Sequence, residues 1–184
     1  MIKLFKLYKP FGYLSQFINN QNRRKNKKLL SDLSHIPDGL MAIGRLDEKS
    51  EGLILLTNNG KLSSYYNSSE TAKTYWAEVD GIISEKAIIN LRNGVRITIK
   101  KESYITKSAL VKPIANPKVH ERFVRDSKHG VTSWIEITIN EGKFRQIRKM
   151  TAAVGYPTLR LIRIKIGGHK LETMRPGELV DITQ

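Results

Sequence analysis

The sequence predicts an α+β fold, with a largely antiparallel mixed sheet and flanking helices. Strand-like segments outnumber helical ones, and the two kinds do not alternate regularly. Several of the strand segments also alternate apolar and polar residues at period two, as half-buried antiparallel strands do. A chain of 184 residues is long enough to bury a real core. It is expected to form one domain over 1–184, with two lobes near 1–66 and 67–184.

Ile2 to Tyr8 alternates loosely between apolar residues and lysine and reads as the opening strand. Lys9-Pro10-Phe11-Gly12-Tyr13 breaks it, because Pro10 lacks a backbone donor and Gly12 frees the chain to turn. Residues 19–28 contain no apolar side chain and five positive charges, Arg23, Arg24, Lys25, Lys27 and Lys28. They read as a solvated loop, compatible with a simple charge run or with phosphate contacts. Leu53 to Thr57 is a compact apolar strand, closed by Asn58-Asn59-Gly60, and Thr71 to Asp80 is another strand.

Ser84 is placed to cap a helix over Glu85 to Arg92, and Gly94 ends it. Val95 to Lys100, Tyr104 to Val111 and Val131 to Asn140 follow as strands. Between the last two lies Pro117 to Gly130, an extended basic connection with Lys118, His120, Arg122, Arg125, Lys128 and His129. Phe144 to Val154 places Ile147, Met150, Thr151 and Val154 at helical spacing, and Gly155 and Pro157 stop it. Leu159 to Ile166 returns as a strand, Gly167-Gly168 reads as a turn, and Arg175 to Leu179 turns into a last short strand.

Lys and Arg number 32 against 17 acidic residues, a formal charge of +15. With a pI near 10.0, this favours polyanionic partners, nucleic acid first. The absence of cysteine excludes disulfides, thiolate zinc sites and a cysteine nucleophile. The four histidines are scattered, with no His-x-x-x-His pair, so metal-dependent hydrolysis has little support. No glycine-rich phosphate cradle is present. Lysines interrupt the N-terminal apolar residues, and no apolar run approaches the roughly 20 residues that cross a bilayer. A cytoplasmic protein without membrane association is expected.

Two residues invite chemistry. Asp47 follows Arg45-Leu46 in a turn-like loop between apolar segments. A loop aspartate is most often a turn former or cap. The alternative is an oriented carboxylate, a nucleophile or base, kept ionised by a cation. Arg148 is a candidate for that cation, since it borders the buried face formed by Ile147, Met150 and Val154. Tyr75, in a strand, is either core packing or a ring facing a cleft, where it would stack on a base while its hydroxyl handles a proton.

Residues 44–60, GRLDEKSEGLILLTNNG, resemble the active-site segment of pseudouridine synthases, in the branch that modifies ribosomal RNA. Three further segments match in order: Lys9-Pro10-x-Gly12, Lys73-Thr74-Tyr75 and residues 141–150, EGKFRQIRKM. Residues 161–167 and Pro176-Gly177-Glu178-Leu179 also fit. The resemblance implies the pseudouridine synthase catalytic fold with a central RNA-binding cleft, here without the S4-type domain that precedes it in many relatives. It implies Asp47 as nucleophile, Tyr75 as the residue that stacks on uracil and assists proton transfer, and Arg148 as the aspartate's basic partner. Arg45 would touch RNA near a flipped nucleotide, an apolar residue around Ile162 would pack on the base, and Lys73 and Arg145 would join the substrate contacts.

Under the same resemblance the substrate is a uridine of 23S ribosomal RNA and no metal or organic cofactor is needed; a monomer is expected. Arg23, Arg24, Lys25, Lys27, Lys28, Arg122, Arg125 and Lys128 would hold the RNA. Asp47 could attack ribose C1′, attack C6 of uracil, or act as a base at the sugar. A non-catalytic RNA-binding or ribosome-assembly module explains the charge, but has no need for aspartate, tyrosine and arginine in these motif positions. A synthase acting on a different RNA fits the motifs as well. A nuclease lacks the metal carboxylates and histidine pair.

Overall fold

The computed structural model describes residues 1–18, 26–33, 36–124 and 126–183. In chain order these form β1 (Leu4–Lys9), β2 (Met41–Ile43), β3 (Glu51–Thr57), α1 (Gly60–Asn67), β4 (Lys73–Asp80), α2 (Glu85–Asn93), β5 (Arg96–Ile99) and β6 (Glu102–Ile105). There follow β7 (Leu110–Ile114), β8 (Thr132–Ile139), α3 (Gln146–Ala153), β9 (Thr158–Ile166), β10 (His169–Lys170) and β11 (Leu179–Asp181). The fold class is α+β, as the sequence predicts.

Two compact units result, Met1–Thr71 with Ile162–Gln184, and Ala72–Leu161. A division in chain order near residue 66 would put the whole C-terminus in the second unit. Pairing overrides chain order here. β11 pairs antiparallel with β1, Leu179 opposite Leu7, and the end of β9 pairs parallel with β3, Ile162 opposite Glu51.

In the first unit β1 and β3 run antiparallel, with Leu7 opposite Ile54, and β2 adds to β3 with Ile43 opposite Leu55. All seven residues of β3 are buried. That explains why its sequence reads as a continuous apolar run rather than an alternation. Phe5, Leu7, Leu30, Leu40, Ile54 and Leu56 form a buried cluster, flanked by Phe17, Leu33, Ile36, Ala42 and Leu179. Gly167-Gly168 makes the two-residue turn between β9 and β10, with Ile166 opposite His169.

Helix α1 corrects the sequence reading, which took 58–60 only as a closing turn. Asn59 is an N-cap, its side-chain oxygen accepting from the Leu62 N–H at 3.1 Å. No residue of α1 is buried, so there was no apolar stripe to announce it.

In the second unit β4, β8 and β7 form antiparallel neighbours, and Tyr75, Ile137 and Val111 stand in one cross-strand row. Ser84 caps α2 as predicted, accepting from the Ala87 N–H at 3.3 Å, and Ala87, Ile88 and Leu91 are buried. The expected strand Tyr104 to Val111 is two strands. β6 pairs with β5 in a hairpin, Tyr104 opposite Ile97, and β7 pairs with β8. Thr106 still belongs to the hairpin, its N–H donating to Val95 O and its hydroxyl accepting from Val95 N–H, both at 3.0 Å, and the chain changes partner between Thr106 and Leu110. Period-two alternation carries no trace of such a change of partner. In α3, Gln146, Ile147, Met150 and Thr151 are buried, while Val154, expected inside the helix, is its C-cap and only half-buried.

Candidate active site

Asp47 lies in the connection from β2 to β3 and opens a turn closed by Ser50 N–H donating to Asp47 O at 3.0 Å. The turn-forming reading of this aspartate is therefore correct as far as it goes, and its side chain is half-buried. Arg45, two residues earlier, is exposed. The residues on either side of Asp47 are both held by the segment that follows β1. The Ser15 hydroxyl donates to Leu46 O and accepts from Leu46 N–H, each at 2.9 Å. Gly12 N–H donates to Glu48 O at 2.8 Å, and Lys27 Nζ lies 2.6 Å from Glu48 Oε1.

The end of this loop runs into β3 at Gly52, whose φ is +106°. A Cβ there would lie 2.4 Å from Arg163 O and 2.7 Å from Arg163 N. The parallel approach of β9 therefore requires glycine at this point of the Ser-Glu-Gly sequence.

Directly opposite Gly52 on β1 is Lys9, which is fully buried. Its ammonium donates to Pro10 O at 2.9 Å and Tyr13 O at 2.7 Å, closing the Lys-Pro-x-Gly turn on itself. Burial pushes the Lys9 ammonium down to about 7; Glu51 holds it up, Arg163 lowers it further, and Asp47 and Glu48 also raise it. Arg163 is buried as well, its Nε donating to Leu53 O at 2.7 Å. Ile162 is fully buried in β9 beside Glu51.

In the second unit Lys73 and Tyr75 are both 9% exposed. Alternation along β4 puts them on one face with Ala77 and Val79, which are fully buried. Arg148 is half-buried at the border of α3, as its position next to Ile147 predicts, and its Nη1 donates to Thr158 O at 3.1 Å. Arg145 is exposed and takes a left-handed conformation, φ +52°, at the N-cap of α3. Such a conformation is uncommon outside glycine, asparagine and aspartate.

A buried network builds that helix start. Glu141 accepts from the Tyr104 hydroxyl at 2.6 Å, from Lys107 N–H at 2.9 Å and from the Gln146 amide, while Gln146 Oε1 accepts from Lys143 N–H at 2.9 Å. The hydrogen bond to Glu141 pushes the Tyr104 phenol above its usual range, with burial adding to the rise. Glu141 and Gln146 thus explain two fixed letters of the Glu-Gly-x-x-Arg-Gln pattern. Sequence reasoning gave them no role, nor any to Ser15, Arg160 or Arg163; hydroxyls and amides that bond to distant backbone leave no periodic signal.

Of the predicted RNA-holding residues, Arg23, Arg24, Lys25 and Arg125 lie outside the described residues. Lys27 is engaged with Glu48, and Lys28 Nζ sits 5.5 Å from the centre of the Tyr13 ring. Lys128 is exposed, and Arg122 is half-buried with Nη1 donating to Phe123 O at 3.1 Å. Buried Arg160 pins the same connection, Nη2 donating to His120 O at 3.0 Å. Among the described residues no group of three His, Asp or Glu could hold a metal ion, and no helix is long and apolar enough to cross a membrane.

Residues 3–153 match the family of RNA pseudouridylate synthases. The chain is 40% identical over 185 residues to ribosomal large subunit pseudouridine synthase E of Vibrio vulnificus (strain CMCP6), across 98% of this chain and 75% of that protein. It is 38% identical to the protein of the same name from Xanthomonas axonopodis pv. citri (strain 306), across 94% of this chain and 90% of that one. A crystal structure of a pseudouridylate synthase superposes with a TM-score of 0.78 at 26% identity, covering all of this chain and 71% of the other. The match extends through both units and takes in the loop of Asp47, the strand of Tyr75 and the start of α3. The chain belongs to the RNA pseudouridine synthases, isomerases that turn uridine in RNA into pseudouridine.

Proposed function

We propose that this enzyme modifies a uridine of the large-subunit, 23S ribosomal RNA, with Asp47 as the catalytic nucleophile. The target rests on the relatives named for the ribosomal large subunit, which match along nearly the whole chain. The observation that carries the role of Asp47 is its setting. A half-exposed carboxylate opens a turn whose flanking residues are fixed by four hydrogen-bonded or ionic contacts from Ser15, Gly12 and Lys27, which holds the backbone around it without burying the group.

The uridine must leave the stack to be reached, at a cost of a few kcal/mol offset by pocket contacts. Asp47 then acts at the glycosidic bond. Uracil is detached from C1′, turned and rejoined through C5. Tyr75 lies against the base and assists removal of the C5 proton, and Arg148 is the basic residue the carboxylate needs. Arg45 contacts the RNA beside the displaced nucleotide, and Lys73, Arg145 and Ile162 complete the substrate surroundings. Ile162 is sealed in β9, so its part is to back the site from within the sheet.

RNA is gripped through phosphates by the basic segments 22–28 and 118–129, so affinity falls with salt. The enzyme works in the cytoplasm as a monomer, with RNA as its partner and no small-molecule cofactor. Incubating unmodified total ribosomal RNA with the protein and mapping pseudouridines tests activity and target together; a new pseudouridine in 23S RNA is expected. Asp47→Ala should form none while binding RNA within about threefold of the parent. Normal turnover by that variant would remove Asp47 from the mechanism.

A further inference from the structure

Asp47 is bracketed. The residue before it, Leu46, is buried, and both its backbone N–H and its C=O are taken by the single hydroxyl of Ser15, which is itself 9% exposed. The residue after it, Glu48, is held by Gly12 N–H through its carbonyl and by Lys27 through its side chain. All four contacts come from residues 12–27, and the fully buried Lys9 closes the head of that segment by binding Pro10 O and Tyr13 O.

We propose that Ser15 is a positioning residue for Asp47, fixing the backbone immediately before the carboxylate so that the carboxylate meets the glycosidic bond in a reactive direction. The inference rests on Asp47 being the nucleophile. Chemistry supports the choice of Ser15 over its neighbours. A hydroxyl is the smallest side-chain group that can donate and accept at once, and here it does both to one residue. Rotation of the peptide groups of Leu46 would break one of the two bonds. Ser50 N–H closes the turn behind Asp47 at 3.0 Å, so the backbone is held on both sides of the aspartate. Since a displacement of about 1 Å at a reacting group can cost a hundredfold in rate, losing the tie to Leu46 acts on turnover rather than on RNA affinity. Ser15 has no part in phosphate contacts, being buried.

The test compares Ser15→Ala, Ser15→Thr and Ser15→Cys with the parent and with Asp47→Ala, in single-turnover reactions at saturating enzyme on unmodified ribosomal RNA. Ser15→Ala is expected to lower the single-turnover rate constant by about tenfold to a hundredfold, with an RNA dissociation constant within about twofold of the parent's and an unchanged circular dichroism spectrum. Hydrogen exchange of residues 44–50 should speed up in the same variant. Ser15→Thr keeps the hydroxyl and should restore most of the rate. Ser15→Cys is nearly isosteric but bonds weakly, so it should fold even if the alanine variant does not and fall between the two. Ser31→Ala removes a hydroxyl that bonds to Phe17 O in the same segment, away from Asp47, and should react like the parent. Parent-like rates in both Ser15→Ala and Ser15→Cys would overturn the proposal, as would a rate loss explained wholly by weaker RNA binding or by unfolding. Were Asp47→Ala itself to turn over normally, the nucleophile assignment would fail first; with Asp47→Ala inactive and Ser15→Ala unaffected, the positioning role fails alone.

Discussion

The amide of Gln146 donates to the carboxylate of Glu141, five residues earlier, and this bond fixes where α3 begins. Both side chains are buried, Glu141 at 8% exposure and Gln146 at 3%. Three donors converge on Glu141, and the opposite end of Gln146 accepts from Lys143 N–H. The cap of α3, Arg145, supplies no side-chain hydrogen bond, so the network holds the loop that leads into the helix rather than the helix's own first N–H groups.

Replacing Glu141 by alanine strands the buried Gln146 amide, and a buried polar group left without a partner costs about 1–3 kcal/mol. Glu141→Ala should therefore lower stability in urea by about that amount, with little change in the slope of unfolding free energy against denaturant. Glu141→Gln keeps one acceptor oxygen and should lose less. In that variant the Tyr104 phenol should also titrate lower than in the parent, because the charged acceptor that raises it is gone. Ultraviolet absorbance titration of the tyrosines checks this.

Gly52 faces a sharper constraint. Its φ of +106° is strained for any side chain, and the atoms that a Cβ would strike are backbone atoms of Arg163 at 2.4 and 2.7 Å. Backbone cannot rotate away as a side-chain end could. Gly52→Ala should destabilise by about 2–4 kcal/mol, from strain and overpacking together. It should also slow pseudouridine formation, because the strand being pushed is the one that Asp47's turn enters. Urea unfolding and single-turnover rates measure the two effects separately.

Lys9 makes stability depend on pH in an unusual direction. In the unfolded chain its ammonium titrates near 10.5, and in the folded protein burial brings it down to about 7. Between those values the unfolded state holds a proton that the native state lacks, so stability attributable to Lys9 rises with pH across this window. Below about pH 7 the lysine is charged in both states and adds no further slope. Glu51, Asp47 and Glu48 hold the value up and Arg163 opposes them, so their charges set where the window opens. Subtracting the unfolding free energy of Lys9→Met from that of the parent, at steps from pH 6 to 9.5, should give a flat difference at low pH. Above pH 7 the difference should climb by up to about 1.4 kcal/mol per pH unit. A flat difference throughout would show that Lys9 stays charged in the fold.

The buried lysines also show what a single sequence can and cannot disclose. Lys6 reads as the polar half of an alternating strand and Lys9 as the start of the break after it, yet both are buried, Lys6 against Glu172 at 2.6 Å and Lys9 against carbonyls of its own turn. β1 lies between β3 and β11, and its partner at the C-terminus is about 170 residues away in sequence, beyond the reach of any local pattern. The turn at Asp47, by contrast, is legible because Ser50 N–H closes it locally on Asp47 O, whereas the ties of Ser15 and Gly12 to that loop and the approach of Arg163 to Gly52 are long-range and leave no local pattern. Ser84 capping α2 and Gly167-Gly168 turning β9 into β10 are likewise local and legible. Helix α1 is not, having no buried face, and neither is the change of partner between β6 and β7.

Tyr75 offers the last separation, between packing and proton handling. Its ring is 9% exposed and lies in a row with Ile137 and Val111, so part of its function is structural whatever else it does. Tyr75→Phe preserves the ring and its contacts and should leave stability within about 0.5 kcal/mol. RNA affinity should also persist, since stacking needs only the π face. If the hydroxyl assists removal of the C5 proton, the rate should still fall, by about 10²- to 10⁴-fold, the usual contribution of a positioned acid or base. Tyr75→Leu removes the ring as well and should lower stability and RNA affinity together with the rate. Unfolding, RNA titration and single-turnover measurements on the two variants therefore assign ring and hydroxyl independently. A phenylalanine variant that reacts at the parent rate would leave Tyr75 as a packing and stacking residue and move the proton to another group.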